Sequence, residues 1–393
     1  MKVIVSAGGT GGHIYPALAI IDLIRKIDKH VEILYIGTHN RMEKDIIPDK
    51  GIKYVPLEIY GFNKKRVLTN IKNVLLINKA FKKCRKVMEE FKPDLVVGAG
   101  GYVTYPVIKV AQKLGIKTFI HEQNSFSGKT NVVLGKKADL IGVSFEKSLE
   151  DYKNTKGKAF LMGNPCAKRA VLMKKIKKSD IGFSDDKPLV VAVAGSLGSE
   201  SINRAFKKVL SSLKDKDYQF LYITGKKHYD KFIEGLTLPS NVKVMPFFDN
   251  LPGLMKDTDV LISRSGASTM SEVVALKVPT IFIPSPYVAN NHQYYNALDL
   301  KEKNAAYLLE EKHISADVIF KAIEDALKNS DEIKNSLSKI KTVDKAFGAV
   351  DKLVDSFSMV TDKVVDGVAL GISKVFNHKK KKTNIKDDVK EEK

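Results

Sequence analysis

Lys2-Val3-Ile4-Val5-Ser6-Ala7-Gly8-Gly9-Thr10-Gly11-Gly12-His13-Ile14-Tyr15-Pro16-Ala17-Leu18-Ala19 decides the fold. Its opening apolar, β-branched run predicts a buried strand. Four glycines in the five residues from Gly8 to Gly12 let the backbone turn sharply and approach a ligand. Pro16, just ahead of a periodic apolar run, predicts the first turn of a helix, where its missing N–H costs nothing. Strand, glycine turn and helix N-terminus together make an anion site, because free N–H groups and the helix dipole converge on the loop. The loop is not a dinucleotide fingerprint, since Ile14 stands where the last glycine of Gly-x-Gly-x-x-Gly would fall after Gly9 and Gly11. No lysine follows to make a Walker loop. By itself His13 reads either as a brace for the loop or as a catalytic imidazole.

The same design returns along the chain. Val31–Gly37 and Lys53–Leu57 read as strands. Asp94-Leu95-Val96-Val97-Gly98-Ala99-Gly100-Gly101-Tyr102 repeats strand and glycine loop, with Pro106 opening a helix. Thr118–Asn124 is a strand that ends in the polar run His121-Glu122-Gln123-Asn124. Strand C-terminal ends line the ligand crevice of an open parallel sheet, so these loops are expected to share one cleft with His13. His121 and Glu122 are expected to orient the cleft wall through hydrogen bonds. Far downstream, Leu189–Ser199 starts the pattern again, followed by strands at Phe220–Gly225 and Val242–Phe247. In Asp259-Val260-Leu261-Ile262-Ser263-Arg264-Ser265-Gly266-Ala267-Ser268-Thr269-Met270-Ser271-Glu272 a strand leads through small residues into a helix whose N–H groups suit a diphosphate. Two Rossmann-like α/β domains are therefore expected.

A chain of 393 residues is long enough for two cores. It divides into 1–165, a linker at 166–187 containing the lysine-rich stretch Lys174–Lys178, a second domain at 188–345, and an amphipathic, lysine-rich tail at 346–393. No run is long and apolar enough to span a membrane, and no signal peptide precedes the first strand, so a cytoplasmic location is expected. Cys84 and Cys166 fit a reducing compartment and read as structural thiols. The formal net charge of +21 suits nucleic acid, an anionic membrane surface or phosphorylated substrates. No nucleic-acid motif is present, which leaves the last two. Glu32 stands near where a dinucleotide enzyme carries its ribose acid, but it comes too early in its strand. The helix expected over Asn63–Lys83 puts Leu68, Ile71, Leu75 and Asn78 on one line, with Val74 and Ile77 beside it and basic residues at both ends. It reads as a domain helix with a solvated flank, or as a surface that rests on acidic headgroups.

Gly8–His13 followed by Pro16, the segments at Asp94–Tyr102 and Thr118–Asn124, Met162-Gly163-Asn164-Pro165, Asp259–Glu272 and Asn290–Ala297 occur in the order of the MurG family, glycosyltransferase family 28, which the chain resembles to about residue 345. The resemblance implies the glycosyltransferase B architecture, two Rossmann-like domains facing across a cleft. It implies transfer of N-acetylglucosamine from UDP-N-acetylglucosamine to the 4-hydroxyl of undecaprenyl-pyrophosphoryl-N-acetylmuramyl-pentapeptide, inverting, in peptidoglycan synthesis. It also places the protein peripherally on the cytoplasmic side of the cell membrane, against an anionic surface, and favours the headgroup reading of the basic helix.

By the same resemblance His13 is the catalytic base, a task for which an imidazole has a suitable pKa. Thr10, Gly11, Gly12 and Asn124 bind substrate. Ser196 belongs to the donor-phosphate loop, and Phe248 meets the uracil through its backbone. Ala267, Ser268, Thr269, Met270 and Ser271 surround the diphosphate, Glu272 accepts from the ribose hydroxyls, and Gln293 reads the sugar hydroxyls. The family carries an arginine two residues after the proline of Gly-Asn-Pro; here that position is Ala167, with Arg169 nearby. Loop N–H groups and helix N-termini can stabilise the departing UDP, and neither a metal nor another cofactor is expected. Other readings stay open: a UDP-N-acetylglucosamine 2-epimerase, which needs the donor alone; a dinucleotide oxidoreductase; and a non-catalytic membrane-bound nucleotide-sugar sensor. In the tail, Val350, Leu353, Phe357, Val360, Val364, Val368 and Val375 keep to one helical face, and Lys379–Lys382 follow.

Overall fold

The structure, a computed structural model, describes residues 1–61, 67–195, 198–288 and 291–340. The basic residues Lys64, Lys65 and Arg66, the expected phosphate-loop Ser196 and the 346–393 tail lie outside the described residues.

The first sheet is built from β1 (Lys2–Ser6), β2 (Glu32–Thr38), β3 (Lys53–Leu57), β4 (Leu95–Gly98), β5 (Lys117–Glu122), β6 (Leu140–Val143) and β7 (Lys158–Leu161). All pair in parallel in the order β3-β2-β1-β4-β5-β6-β7. Between them run α1 (Gly11–Ile27), α2 (Glu43–Asp49), α3 (Val67–Phe91), α4 (Thr104–Leu114) and α5 (Lys129–Gly135), and α6 (Pro165–Leu172) follows. The β-branched runs are buried on both faces, as a helix-covered parallel sheet requires. Val3 and Val5 pack with Ile14, Leu18 and Ile21 of α1, while Ile4 and Ile36 pack on the other face with Cys84 and Met88 of α3 and Val107 of α4.

The second sheet holds β8 (Leu189–Val193), β9 (Gln219–Ile223), β10 (Val242–Met245), β11 (Val260–Ser263), β12 (Thr280–Phe282) and β13 (Tyr307–Leu308), all parallel, in the order β10-β9-β8-β11-β12-β13. Its helices are α7 (Glu200–Leu210), α8 (Tyr229–Ile233), α9 (Leu251–Met255), α10 (Ala267–Leu276), α11 (His292–Glu302), α12 (Ala316–Lys328) and α13 (Ser330–Ser338). Strand order reverses at β1/β4 in one sheet and at β8/β11 in the other, the positions where such sheets open a crevice. The expected pair of Rossmann-like sheets is what the chain forms.

Three local readings are refined. Pro16 lies inside α1 rather than in its first turn, because the helix begins within the glycine loop at Gly11, where the Thr10 carbonyl accepts from the N–H groups of His13 and Ile14. The Gly12 carbonyl, deprived of its partner by the proline, belongs to an exposed residue and can meet water. Glu32, first in β2, is exposed and lies 3.8 Å from Lys2 Nζ, away from the crevice. In α3 the buried line is Asn73, Leu76, Ala80, Cys84 and Met88, so Leu75 of the expected apolar line and Val74 beside it face solvent at 63% and 49% exposure. Among the described residues no helix is long and apolar enough to cross a membrane. Cys84 and Cys166 are both buried and free.

Candidate active site

The loop after β1 and the loop after β4 pack backbone against backbone. Gly8 N–H donates to the Gly100 carbonyl at 3.3 Å, and a Cβ on Gly101 would run into the Gly8 carbonyl oxygen. Gly100 and Gly101 also hold φ of 97° and 91°, which L side chains rarely adopt. His13, in the first turn of α1, lays its ring over Gly100: a Cβ there would stand 3.1 Å from His13 Nε2 and 3.2 Å from Gln123 Nε2. Thr10 Oγ1 lies 3.3 Å from His13 Nδ1. Burial holds the imidazole below its ordinary pKa, while the Gly8 carbonyl and the Glu43 charge pull it upward. The ring is therefore neutral at neutral pH, as a proton acceptor must be.

The wall beyond β5 is organised by Glu122. Its Oε1 accepts from Asn124 N–H at 2.9 Å and from Asn124 Nδ2 at 3.1 Å; its Oε2 accepts from Gly128 N–H and Asn131 Nδ2, both at 2.9 Å. Burial raises the carboxyl's pKa and these four donors oppose it. His121 is fully buried, its Nε2 is 3.4 Å from the Gly163 carbonyl, and burial pushes its pKa down to about 4. Both residues hold the wall in place, as expected, and Asn124 is fixed at its rim.

On the other side, the loop after β11 leads into α10. Ala267 and Met270 are buried, Ser268 and Thr269 are half-buried, and Ser271 Oγ donates back to the Ala267 carbonyl at 2.8 Å. Burial pushes half-buried Glu272 up to about 8, with Arg169 pulling it down. Gln293 accepts Ser285 N–H on Oε1 at 2.9 Å, and Ser265 Oγ donates to its backbone carbonyl at 2.7 Å. One amide lone pair is thus used inside the protein, and the N–H₂ edge is oriented by it. Phe248 packs, partly buried, against the second core beyond β10.

Helix α6 brings the two halves together. Asn164 caps it by accepting Cys166 N–H at 3.0 Å, and the helix packs on α10 and on α1. Arg169 Nε donates to Asp22 of α1 at 2.9 Å, and Cys166 lies against Ser268. Tyr15, two residues beyond His13, is pushed up to about 12 by burial and then by Glu272 and Asp249 from the second half. Lys50 also meets Asp249 at 3.3 Å across the cleft. Tyr15 of α1 and Glu272 of α10 therefore lie close to one another across the two halves.

Models of the glycosyltransferase family 28 N-terminal and C-terminal domains match residues 3–143 and 189–350. The chain belongs to glycosyltransferase family 28. A Bacillus cereus protein named UDP-N-acetylglucosamine--N-acetylmuramyl-(pentapeptide) pyrophosphoryl-undecaprenol N-acetylglucosamine transferase 1 is 41% identical over 339 residues, 85% of this chain and 93% of its own. The transferase of that name from Halalkalibacterium halodurans is 41% identical over 331 residues, 83% and 91% of the two chains. The fold matches the crystal structure of Acinetobacter baumannii MurG with a TM-score of 0.63 at 24% identity, over 90% of this chain and 98% of that one. It also matches the UDP-GlcNAc 2-epimerase of Methanocaldococcus jannaschii, TM-score 0.58 at 15% identity, over 89% and 99%.

Some site residues of this family 28 chain carried no signal in the sequence. Glu43 sits beneath the first glycine loop, its Oε2 accepting Gly9 N–H at 3.2 Å. Arg264 pairs with Glu311, and its Nη2 donates to Ser199 Oγ at 2.9 Å. The Asp-x-Asp spacings at Asp215–Asp217 and Asp257–Asp259 precede β9 and β11 and so lie at the sheet edge opposite the crevice. Asp257 meets Lys175 at 2.5 Å and Asp259 meets Lys178 at 3.4 Å, and these pairs fasten the lysine-rich stretch to the second half.

Proposed function

We propose that the chain transfers N-acetylglucosamine from UDP-N-acetylglucosamine to the 4-hydroxyl of lipid-linked N-acetylmuramyl-pentapeptide, inverting the anomeric carbon from α to β. The observation that carries this reading is 41% identity, across 85% of the chain, to a transferase of that name. The cleft geometry supports it. His13, neutral beside Thr10 Oγ1 and the Gly8 carbonyl, takes the acceptor proton on its unprotonated ring nitrogen as the glycosidic bond forms. Thr10, Gly11 and Gly12 and the rim residue Asn124 hold the acceptor; Ala267–Ser271 at the α10 N-terminus face the diphosphate, where the dipole and free N–H groups favour negative charge. Glu272 accepts from the ribose hydroxyls, Gln293 meets the sugar, the Phe248 backbone meets the uracil, and Ser196 belongs to the phosphate loop. UDP departs into these preorganised donors without a metal.

The acceptor reaches the site from a membrane. Val74 and Leu75, exposed on α3 and followed by Lys79, Lys82 and Lys83, rest on the acidic headgroups of the cytoplasmic leaflet. Leu75→Glu should weaken sedimentation with anionic vesicles and raise KM for the lipid acceptor while donor KM stays constant.

The deciding experiment supplies radiolabelled UDP-N-acetylglucosamine with lipid-linked muramyl-pentapeptide. Label in the lipid phase supports the transferase. Conversion of the donor alone makes the protein an epimerase, and UDP binding without turnover makes it a sensor.

A further inference from the structure

Glu43, the first residue of α2, is fully buried beneath the loop that carries His13. Its Oε1 accepts Thr38 N–H at 3.0 Å and the Thr38 hydroxyl at 2.6 Å, and its Oε2 accepts Gly9 N–H at 3.2 Å. Two glycines clear the space it fills. A Cβ on Gly8 would run into Glu43 Oε1, and one on Gly37 would stand 2.8 Å from Glu43 Cγ. Among the described residues no cation pairs with this carboxylate. A buried charge without a counter-ion is expensive, and an apolar side chain would fill the same space at less cost. The charge therefore has a use beyond packing.

The titratable groups around Glu43 narrow that use. Tyr35 donates to the Ala7 carbonyl at 2.9 Å and Tyr54 to the Thr38 carbonyl at 2.5 Å; burial and the Glu43 charge push both phenols upward, so both stay neutral. Asp45 lies two residues on along α2 and carries the same sign. His13, above the loop, is the group that can become positive there. The side chains that the contacts place near its ring, Thr10 and Gln123, carry no charge.

We propose that Glu43 is a positioning residue for His13: it clamps the glycine loop through Gly9 N–H, and its negative charge stabilises the imidazolium formed when His13 takes the acceptor proton. The inference rests on the reading of His13 as the base. The proton leaves the acceptor hydroxyl for the unprotonated ring nitrogen of His13 as that oxygen bonds to the anomeric carbon and UDP departs with the electron pair.

The test follows His13 directly in the full chain, by NMR titration of labelled histidine Cε1–H in wild type and Glu43→Gln, with His13→Ala assigning the signal. The expected result is a His13 midpoint about one pH unit lower in Glu43→Gln, with roughly tenfold lower plateau kcat, since one pKa unit corresponds to a tenfold rate factor. The acid limb of kcat/KM should move down by the same amount, and donor KM should change little. A His13 midpoint that stays put while only thermal stability falls would overturn the proposal and leave Glu43 a brace. A midpoint that moves with no limb of kcat/KM following it would support the electrostatic coupling and overturn the base role of His13. If Glu43→Gln does not fold, Glu43→Asp retracts the charge by one methylene and should lower the midpoint by a smaller amount. An unmoved midpoint in that variant also overturns the coupling.

Discussion

Arg264 Nη1 lies 2.7 Å from Glu311 Oε2, with each side chain only 12% exposed. The same nitrogen donates to the carbonyls of Ile283 and Pro284 at 3.1 Å, and Nη2 donates to Ser199 Oγ. One guanidinium therefore ties together the loops after β8, β11 and β12, which form the wall of the second half of the cleft. Arginine suits this because its planar fork offers several fixed donors at once.

Removing either partner leaves a buried charge uncompensated, which costs about 3–5 kcal/mol. Arg264→Ala and Glu311→Ala should each lower Tm by several degrees and raise KM for UDP-N-acetylglucosamine. A double variant should lose less than the sum of the two, as measured by a thermodynamic cycle in denaturant. Additive losses would show that the pair does not act as a unit.

Glu272→Ala and Gln293→Ala should weaken donor use while leaving the fold intact. A hydrogen bond to a charged group is worth about 1.5–3 kcal/mol, so kcat/KM for Glu272→Ala should fall on the order of tenfold or more. The pH dependence adds a second check. Burial raises Glu272 to about 8 in the ligand-free protein, and ribose hydroxyls favour the ionised acceptor, so UDP affinity should rise as pH approaches 8. Stability runs the other way. The folded carboxyl holds its proton where the unfolded one has lost it, so stability falls as pH rises from the ordinary carboxylate range through 8. Glu272→Gln should abolish both trends in calorimetry and UDP titration.

His13→Ala should lower kcat by roughly a hundredfold or more if its imidazole takes the acceptor proton. If the ring only braces the loop over Gly100, KM for the lipid acceptor should rise with kcat nearly unchanged. Steady-state kinetics with both substrates varied separates the two.

His121 should make the protein acid-sensitive. Its folded pKa of about 4 lies below the ordinary histidine value of 6.5, so the unfolded chain takes up a proton first as pH falls. Stability contributed by the neutral ring is present above 6.5 and is lost as pH drops toward 4, amounting to about 3 kcal/mol. Denaturant melts at pH 7 and pH 4.5 should show this loss in wild type, and His121→Gln should show much less of it.

The sequence by itself determined the two-sheet plan and most of the cleft. Strand, glycine turn and helix are local events, written in β-branched runs, in glycines that must adopt positive φ, and in prolines near helix starts, and the chain repeats them in both halves. The C-terminal ends of strands in one parallel sheet converge for topological reasons, so the loops that carry His13 and Asn124 could be expected in one cleft from the residues alone, whereas Glu272, on the second sheet, was assigned to the site only by the family resemblance. Which lines of α3 face inward was not legible, because its apolar residues wrap most of the helix and only packing on α4 selected Asn73, Leu76 and Cys84 over Leu75. The partners of buried charge were not legible either. Glu43 reaches Gly9, Arg264 reaches Glu311, and Arg169 reaches Asp22 across long stretches of chain. Those pairs carry no period or spacing; they exist because close packing brings separate segments into one low-dielectric space, where each polar atom must find a partner. Only the tertiary structure could decide them.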